Sequence, residues 1–194
     1  MPNVYDWDET VVYPNSGVTF VAFCMWRHNE LLHYLPHIAG QLLAHAVKSR
    51  SGKPFRAELY TFMRDIPDWR EEVRLFWEPK ADDMLRPWYL AQKRPDDIIV
   101  SDSAEFLLAP MCEQLGVRML ATPVDPLTGL LTGPDCYGPE KLRRLRAAFG
   151  PVEIEEFYSD SLRDAPLAGA AKRAFLVTKD ERAPWPKKKG DRHP

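Results

Sequence analysis

The stretch VYDWDETVV at residues 4–12 decides how this 194-residue chain is interpreted. Residues 3–5 favour a short strand, which ends where the acidic residues begin. Asp6 and Asp8 are two positions apart, and strand side chains alternate between faces, so both carboxylates point the same way. Such a pair can supply a nucleophile, a second acid or base, and oxygen ligands for a divalent cation. Taken alone, it is equally compatible with an acidic strand-to-loop corner that has no chemistry.

Three later segments carry chemically useful residues in a fixed order. VSDS follows an apolar run and places the hydroxyl of Ser101 at a strand end. Lys141 lies in YGPEKLRRL, at the start of a helix-like segment. FYSDSLRDAPL follows another apolar stretch and carries Asp160 and Asp164. One such motif is weak, but four in this order are a strong signal.

The order D-x-D-x-T, strand-terminal Ser, Lys and D-x-x-x-D resembles the haloacid dehalogenase-like (HAD) superfamily. The closest similarity is to its phosphoserine-phosphatase-like branch (subfamily IB), and it extends from Val4 to about Val177. The resemblance implies an α/β fold, with a Rossmann-like, mainly parallel sheet and a helical cap inserted after the first strand.

The pattern along the chain predicts the same organisation. Residues 18–92 have helical periodicity, whereas residues 96–178 alternate strands with helices, as in βαβ units. The first strand must join the later sheet, so the helices between them form an insertion above the strand ends. We expect a catalytic core at 1–13 and 94–180, a cap at 14–93, and a mobile basic tail at 181–194.

The resemblance assigns a role to each motif residue. Asp6 is the nucleophile that forms an aspartyl-phosphate, and Asp8 is the general acid and base. Mg²⁺ binds the carboxylates of Asp6 and Asp160 and the main-chain carbonyl of Asp8. Ser101, Asp102 and Lys141 bind the substrate phosphate, with Asp102 contributing its main-chain N–H. Thr10 and Asp164 have supporting roles.

Each later motif has a structural alternative. Ser101 could be the N-cap of the helix predicted at 104–116. Lys141 could be a solvated charge, and Asp160 with Asp164 could form a turn and a helix N-cap. Four independent alternatives in the family's order are much less expected than one site.

Two residues depart from the family's pattern. Glu9 adds a charge beside the nucleophile, and we expect it to point to solvent; an inward Glu9 would raise the pKa of a neighbouring carboxylate. The Asp102 side chain could repel an anionic substrate. VYPNSG at residues 12–17 has no carboxylate to hold an ammonium group, which argues against phosphoserine as the substrate.

The cap suggests a class of substrate without defining it. Its first helix is apolar on more than one face over residues 18–26, and a basic run follows at 48–56. An apolar or lipid-like leaving group fits these features. The alternatives are that the apolar residues close the cap core and that the basic run is a solvated loop. The cap histidines are interpreted as surface or packing residues.

Composition narrows the class of protein. A net charge of −2 gives no general attraction to nucleic acid, and the apolar stretch at 18–26 is far too short to span a bilayer. Cys24, Cys112 and Cys136 lack metal-site spacing and read as reduced thiols. We predict a cytoplasmic, Mg²⁺-dependent phosphomonoester hydrolase acting on a small molecule. The alternatives are a phosphotransferase of the same fold and a non-catalytic module that binds a phosphorylated ligand.

Overall fold

A mainly parallel sheet lies at the centre of the computed structural model, which describes residues 1–48 and 59–186. The strand order is β3-β2-β1-β4-β5-β6, and only β6 is antiparallel to its neighbour. The strands are β1 (Val4–Tyr5), β2 (Ile98–Ala104), β3 (Arg118–Thr122), β4 (Ile154–Ser159), β5 (Ala171–Thr178) and β6 (Glu181–Pro184). This architecture confirms the predicted Rossmann-like α/β fold.

The shortest strand, β1, occupies the middle of the sheet. Val4 pairs with Ile98 of β2 on one side and with Phe157 of β4 on the other. Val4 and Tyr5 are completely buried, which explains why two apolar residues suffice for a central strand. The chain therefore leaves β1 at the carboxyl edge of the sheet, between the ends of two neighbours, where ligands bind in open α/β folds.

The helices that follow β1 confirm the predicted insertion. They are α1 (Ser16–Arg27), α2 (Leu35–Lys48), α3 (Trp69–Trp77), α4 (Ala81–Met84) and α5 (Pro87–Gln92), with 3₁₀ turns at Asn29–Tyr34 and Thr61–Asp65. The sequence favours a single helix over 81–93, but the structure divides it, because the residue before a proline is pushed out of helical geometry and Arg86 is extended. A helix is also predicted over 55–64; its described part, residues 59–64, forms a turn followed by the 3₁₀ turn at Thr61–Asp65, so no α-helix forms there. Residues 55–58 and most of the basic run lie outside the described residues. No helix in the described part of the chain is long and apolar enough to cross a membrane.

The core helices lie between the later strands. They are α6 (Glu105–Leu115), α7 (Pro139–Phe149) and α8 (Ala165–Ala168). Gly116 follows α6 with a φ of +68°, a left-handed conformation that glycine adopts without strain. The helix predicted over 165–172 is shorter, because Ala171 already pairs with Ile154 as the first residue of β5.

Aromatic side chains connect the insertion to the core. The indole N–H of Trp77 in α3 donates to the Leu107 carbonyl of α6 at 2.8 Å. The Trp77 ring also meets the buried ring of Trp7 edge-on, with centroids 6.1 Å apart. The turn residues at 125–129 favour a hairpin, and the structure has one at 124–131. It approaches the insertion so closely that a Cβ on Gly129 would lie 1.7 Å from the Tyr60 carbonyl oxygen. The insertion is therefore packed against the core.

The end of the described chain differs from the prediction. The mobile tail was expected from residue 181, but residues 181–184 form β6 and pair with the end of β5, for example Glu181 with Thr178. The ring of Trp185 then lies 5.9 Å from that of Phe157. The prediction is wrong for these residues because charge composition does not reveal an available sheet edge. Residues 187–194 lie outside the described part of the chain.

Candidate active site

Asp6 is the first residue after β1 and is buried beside a cavity of about 80 Å³. Its main-chain N–H donates to the Tyr158 carbonyl at 2.9 Å, which continues the pairing with β4. Its Oδ1 accepts the main-chain N–H of Trp7 at 2.8 Å. The strand end thus fixes the carboxylate at the carboxyl edge of the sheet.

Lys141 is a buried cation in the first turn of α7. Gly138 precedes this helix with a φ of +55°, which favours glycine. The Nζ of Lys141 lies 2.9 Å from Asp6 Oδ1 and 2.7 Å from Asp164 Oδ2, and the residue is only 2% exposed. Burial lowers the pKa of the amine, but attraction to the two carboxylates outweighs it, so the pKa is raised overall. The interpretation of Lys141 as a solvated charge is therefore wrong.

Asp8 is held by hydroxyl groups from two other segments. Its Oδ1 accepts the main-chain N–H of Ser16 at 2.5 Å and the Ser16 hydroxyl at 2.7 Å. Its Oδ2 accepts a hydrogen bond from the Ser103 hydroxyl. Because Ser16 begins α1 and Ser103 is the penultimate residue of β2, the carboxylate is fixed between the insertion and the core.

The loop after β4 completes the site. The Ser159 hydroxyl donates to Asp164 Oδ2 at 2.8 Å and lies 3.4 Å from Asp6 Oδ2. The main-chain N–H of Asp160 donates to the buried hydroxyl of Thr10 at 3.0 Å. These bonds join the loops after β1 and β4 through Thr10 and Asp164, whose supporting roles stay a prediction.

Ser101 and Asp102 lie where β2 becomes irregular. Regular pairing with β3 ends at Val100 and resumes only at Ala104, so residues 101–103 interrupt the ladder at the sheet edge. Ser101 is completely buried, and its Oγ accepts the main-chain N–H of Ser103 at 3.0 Å. Ser101 is not the N-cap of α6, since that position is Ala104. Asp102 lines the cavity, whereas Ser101 is not among the lining residues, and its phosphate-binding role stays a prediction.

Acidic groups outnumber cations around the cavity. Burial and the negative charges of Asp164, Asp102 and Asp160 raise the pKa of Asp6, and Lys141 opposes them. Loss of hydration raises the pKa of Asp160 to about 6, with further raising by neighbouring acids and lowering by Lys141. The lining residues are Asp6, Asp8, Glu9, Asn15, Asp102, Tyr137, Lys141, Asp160, Ser161, Arg163 and Asp164.

Glu9 was expected to point to solvent, and this prediction is wrong. It lines the cavity and is only partly exposed. Its φ of +60° is left-handed, so the alternation of an extended strand no longer sets the direction of its side chain. Burial raises the pKa of Glu9, and Glu9 in turn helps to raise the pKa of Asp160. An inward Glu9 was expected to raise the pKa of a neighbouring carboxylate, and it does so for Asp160.

The donor set fits a hard divalent cation. Carboxylate oxygens are the ligands that Mg²⁺ prefers, and the surplus of acids around Asp6 needs positive charge. Within residues 1–48 and 59–186, no group of three or more His, Cys, Asp or Glu side chains is arranged to hold a metal ion. The predicted Mg²⁺ set is of another kind, because it combines the carboxylates of Asp6 and Asp160 with a main-chain carbonyl.

A sequence model of the family described as haloacid dehalogenase-like hydrolase matches residues 4–169. The chain belongs to this family. Among curated proteins, the chain is similar to Protein CicA of Caulobacter vibrioides (strain NA1000 / CB15N). The two are 27% identical over 183 residues, which cover 86% of this chain and 81% of that protein.

Solved structures confirm the haloacid dehalogenase-like fold. A protein of unknown function from Bordetella pertussis Tohama I matches with a TM-score of 0.70 at 17% identity, covering 90% of this chain and 88% of that one. A phosphoserine phosphohydrolase-like protein from Francisella tularensis subsp. tularensis SCHU S4 matches with a TM-score of 0.59 at 15% identity, covering 93% and 88%. The chain thus shares its fold with a phosphoserine phosphohydrolase-like protein, in agreement with the predicted resemblance.

Sequence reasoning missed several hydroxyl groups of this haloacid dehalogenase-like site. Ser16, Ser103 and Ser159 contact the two catalytic candidates, Asp6 and Asp8. Both Ser103 and Ser159 belong to motifs that the sequence analysis had identified. Ser103 is two residues after Ser101, and Ser159 is one residue before Asp160. Their contacts could not be read from the sequence, because the partners are 95 and 153 positions away.

The apolar residues of the first cap helix do not line the cavity. Phe20, Val21 and Met25 are buried in the main hydrophobic cluster, and Val18 and Trp26 are exposed. This observation favours the alternative that these aromatic and aliphatic side chains close the cap core. An apolar pocket above Asp6 finds no support in them.

Proposed function

We propose that the protein is a Mg²⁺-dependent phosphomonoesterase that acts through an aspartyl-phosphate on Asp6. The observation that carries the proposal is the Asp6 carboxylate at the carboxyl edge of the sheet, beside the cavity and 2.9 Å from the Lys141 amine. Membership of a hydrolase family and the fold of a phosphoserine phosphohydrolase-like protein support it.

Asp6 has one oxygen better suited to attack than the other. Oδ1 accepts hydrogen bonds from Trp7 and Lys141, at 2.8 Å and 2.9 Å. Among the residues that the structure describes, the contact of Oδ2 is the weaker 3.4 Å approach of the Ser159 hydroxyl. In the proposed first step Oδ2 forms a bond to phosphorus while the bond from phosphorus to the leaving oxygen breaks.

Asp8 lines the same cavity and is proposed to move the protons. It gives a proton to the leaving oxygen in the first step, and it takes a proton from the water that attacks the aspartyl-phosphate in the second. The bonds from Ser16 and Ser103 hold its carboxylate in one position during both steps. Attack by water breaks the bond between Asp6 Oδ2 and phosphorus and restores the Asp6 carboxylate, so the products are the alcohol released in the first step and inorganic phosphate.

Lys141 is proposed to stabilise the negative charge that spreads over the phosphoryl oxygens, together with Ser101 and the main-chain N–H of Asp102. Asp6, Asp160 and the Asp8 carbonyl would hold Mg²⁺, which when bound would supply positive charge that lets a dianion approach these acids. The substrate is a small-molecule phosphomonoester. The buried free thiols of Cys24, Cys112 and Cys136 fit a reducing compartment, so a cytoplasmic location is part of the proposal.

The test measures phosphate release from a panel of phosphorylated metabolites, with Mg²⁺ and with EDTA. Asp6→Asn should lose activity by several orders of magnitude, because its amide is a poor nucleophile, while its urea unfolding curve stays cooperative. Beryllofluoride should form an adduct with the native protein and not with the Asn variant. Activity of Asp6→Asn within tenfold of the native value, or full activity in EDTA, would refute the mechanism.

A further inference from the structure

Arg163 is a cation at the cavity that the predicted mechanism does not use. It lines the cavity yet is exposed, whereas Asp6, Lys141 and Asp164 are buried. The guanidinium Nε donates to the Ser161 hydroxyl at 3.1 Å. Arg163 therefore stands where the cavity opens to solvent.

The guanidinium is positioned without being neutralised. Its carbon lies 5.2 Å from the centroid of the Tyr137 ring, a cation–π contact, and Tyr137 also lines the cavity. Within the described part of the chain, no carboxylate pairs with Arg163. By contrast, Arg143 and Arg144 are both paired with Glu140. The charge of Arg163 is therefore available to a ligand.

The cavity is too small to enclose a whole substrate, so one part of the substrate would lie inside it and another part outside. About 80 Å³, walled by carboxylates and Lys141, leaves room for little more than a phosphoryl group and its immediate neighbours. The leaving group must then extend toward the exposed side. Arg163 is the cation among the exposed and partly exposed lining residues, which otherwise are Glu9, Asn15, Asp102, Tyr137, Asp160 and Ser161.

We propose that Arg163, oriented by Tyr137 and Ser161, binds an anionic group on the leaving group of the substrate. The substrate class is a phosphomonoester that carries a carboxylate or a second phosphate. A planar guanidinium binds both groups through paired hydrogen bonds, which an ammonium cannot do as well. This inference rests on the proposed phosphatase function, since it defines the leaving-group side of the same site.

The experiment compares substrates that differ only in that group. In the first pair, 3-phosphoglycerate has a carboxylate where glycerol 3-phosphate has an alcohol. In the second pair, propane-1,3-diol bisphosphate has a second phosphate where the monophosphate has an alcohol. The ratio of kcat/KM for the charged to the uncharged member is the readout, and the pair that shows preference identifies the group. In Arg163→Ala the ratio should fall about tenfold, which corresponds to about 1.4 kcal/mol. Arg163→Lys should keep part of the preference, because the charge remains.

Arg146→Ala is the matched control. Arg146 is another exposed arginine without a carboxylate partner among the described residues, and it belongs to a different cavity, beside Gly150 and Val152. Its removal should leave the ratio unchanged. If Arg163→Ala lowers kcat/KM equally for both members of each pair, or if the native protein prefers the uncharged members, the leaving-group site is refuted.

A binding measurement separates this inference from the proposed function. Calorimetry with Asp6→Asn and Mg²⁺ measures the affinity for 3-phosphoglycerate and for glycerol 3-phosphate without turnover. The first should bind more tightly, and adding Arg163→Ala should remove about a tenfold difference. Absence of turnover in the native protein would refute the phosphatase function. The difference in binding measured by calorimetry would still support the Arg163 site in that case. Equal binding with and without Arg163 would refute that site even in an active phosphatase.

Discussion

Replacing Lys141 by methionine tests whether the buried triad of Asp6, Lys141 and Asp164 holds the site together. At an effective dielectric constant of about 20, the 2.9 Å contact with Asp6 contributes an attraction of about 6 kcal/mol, and the 2.7 Å contact with Asp164 slightly more. Desolvation of the three groups cancels much of this attraction. Breaking such a pair by removing one partner costs about 3–5 kcal/mol, because the remaining charges stay buried. We expect that loss in the free energy of unfolding of Lys141→Met at pH 8.

The loss should depend on pH with a defined sign. Lys141 opposes the burial that raises the pKa of Asp6. Without the lysine, the folded-state pKa of Asp6 rises further above its unfolded-state value. The folded variant then takes up a proton as the pH falls, which stabilises it, and this stabilisation is lost as the pH rises through the folded-state pKa. The destabilisation should therefore be clearly smaller at pH 5 than at pH 8.

The assay is urea unfolding followed by tryptophan fluorescence, with EDTA present so that no metal ion neutralises the acids. Lys172→Met is the matched control, because Lys172 is about half exposed and its contact with Glu155 is 3.5 Å. That variant should lose less than about 1 kcal/mol. Adding Asp164→Asn to Lys141→Met should restore part of the stability, because it removes one uncompensated charge. A loss below about 1 kcal/mol at pH 8, or an equal loss at both pH values, would refute the argument.

Three further predictions follow from single contacts. Asp160→Asn should raise the Mg²⁺ concentration needed for half-maximal phosphate release, and an unchanged concentration would contradict its role as a ligand. Ser103→Ala should lower kcat more than it raises KM, since it removes a donor to Asp8, and a change in KM alone would contradict this. Trp77→Phe should lower the free energy of unfolding by about 1–2 kcal/mol through loss of the bond to Leu107. A urea unfolding midpoint equal to the native one would contradict that estimate.

The sequence predicted the sheet because the signals that define it are local. Val4 and Tyr5 are apolar and are followed at once by Asp6, so the strand and its end are visible within three residues. The alternation of apolar runs with helical periodicity after residue 96 likewise reports βαβ units directly. The position of β1 between β2 and β4 then follows from the need of a short apolar strand to be buried on both sides.

Other parts of the fold depend on contacts that the local sequence does not contain. The strand β6 is highly charged and exposed, and it forms because β5 offers an unpaired edge. Ala171 begins β5 through pairing with Ile154, although its own neighbourhood has helical composition. In both cases tertiary pairing overrides a weak local preference.

The site residues also differ in how well the sequence predicts them. Residues of the motifs have a distinctive spacing, whereas the residues that hydrogen-bond to them do not. Asp6, Asp8, Lys141 and Asp160 belong to motifs, so their order alone predicted that they meet. The groups that orient them include Ser16, Ser103 and Ser159, and serine in a loop or at a helix end is common for reasons of local capping. A serine that caps a helix can be told from one that donates to a candidate catalytic carboxylate only by its distance to that carboxylate in the folded structure. In the proposed mechanism each of these hydroxyls acts through the carboxylate that it contacts, so its loss should reduce the rate without abolishing it, whereas loss of Asp6 should remove the reaction itself.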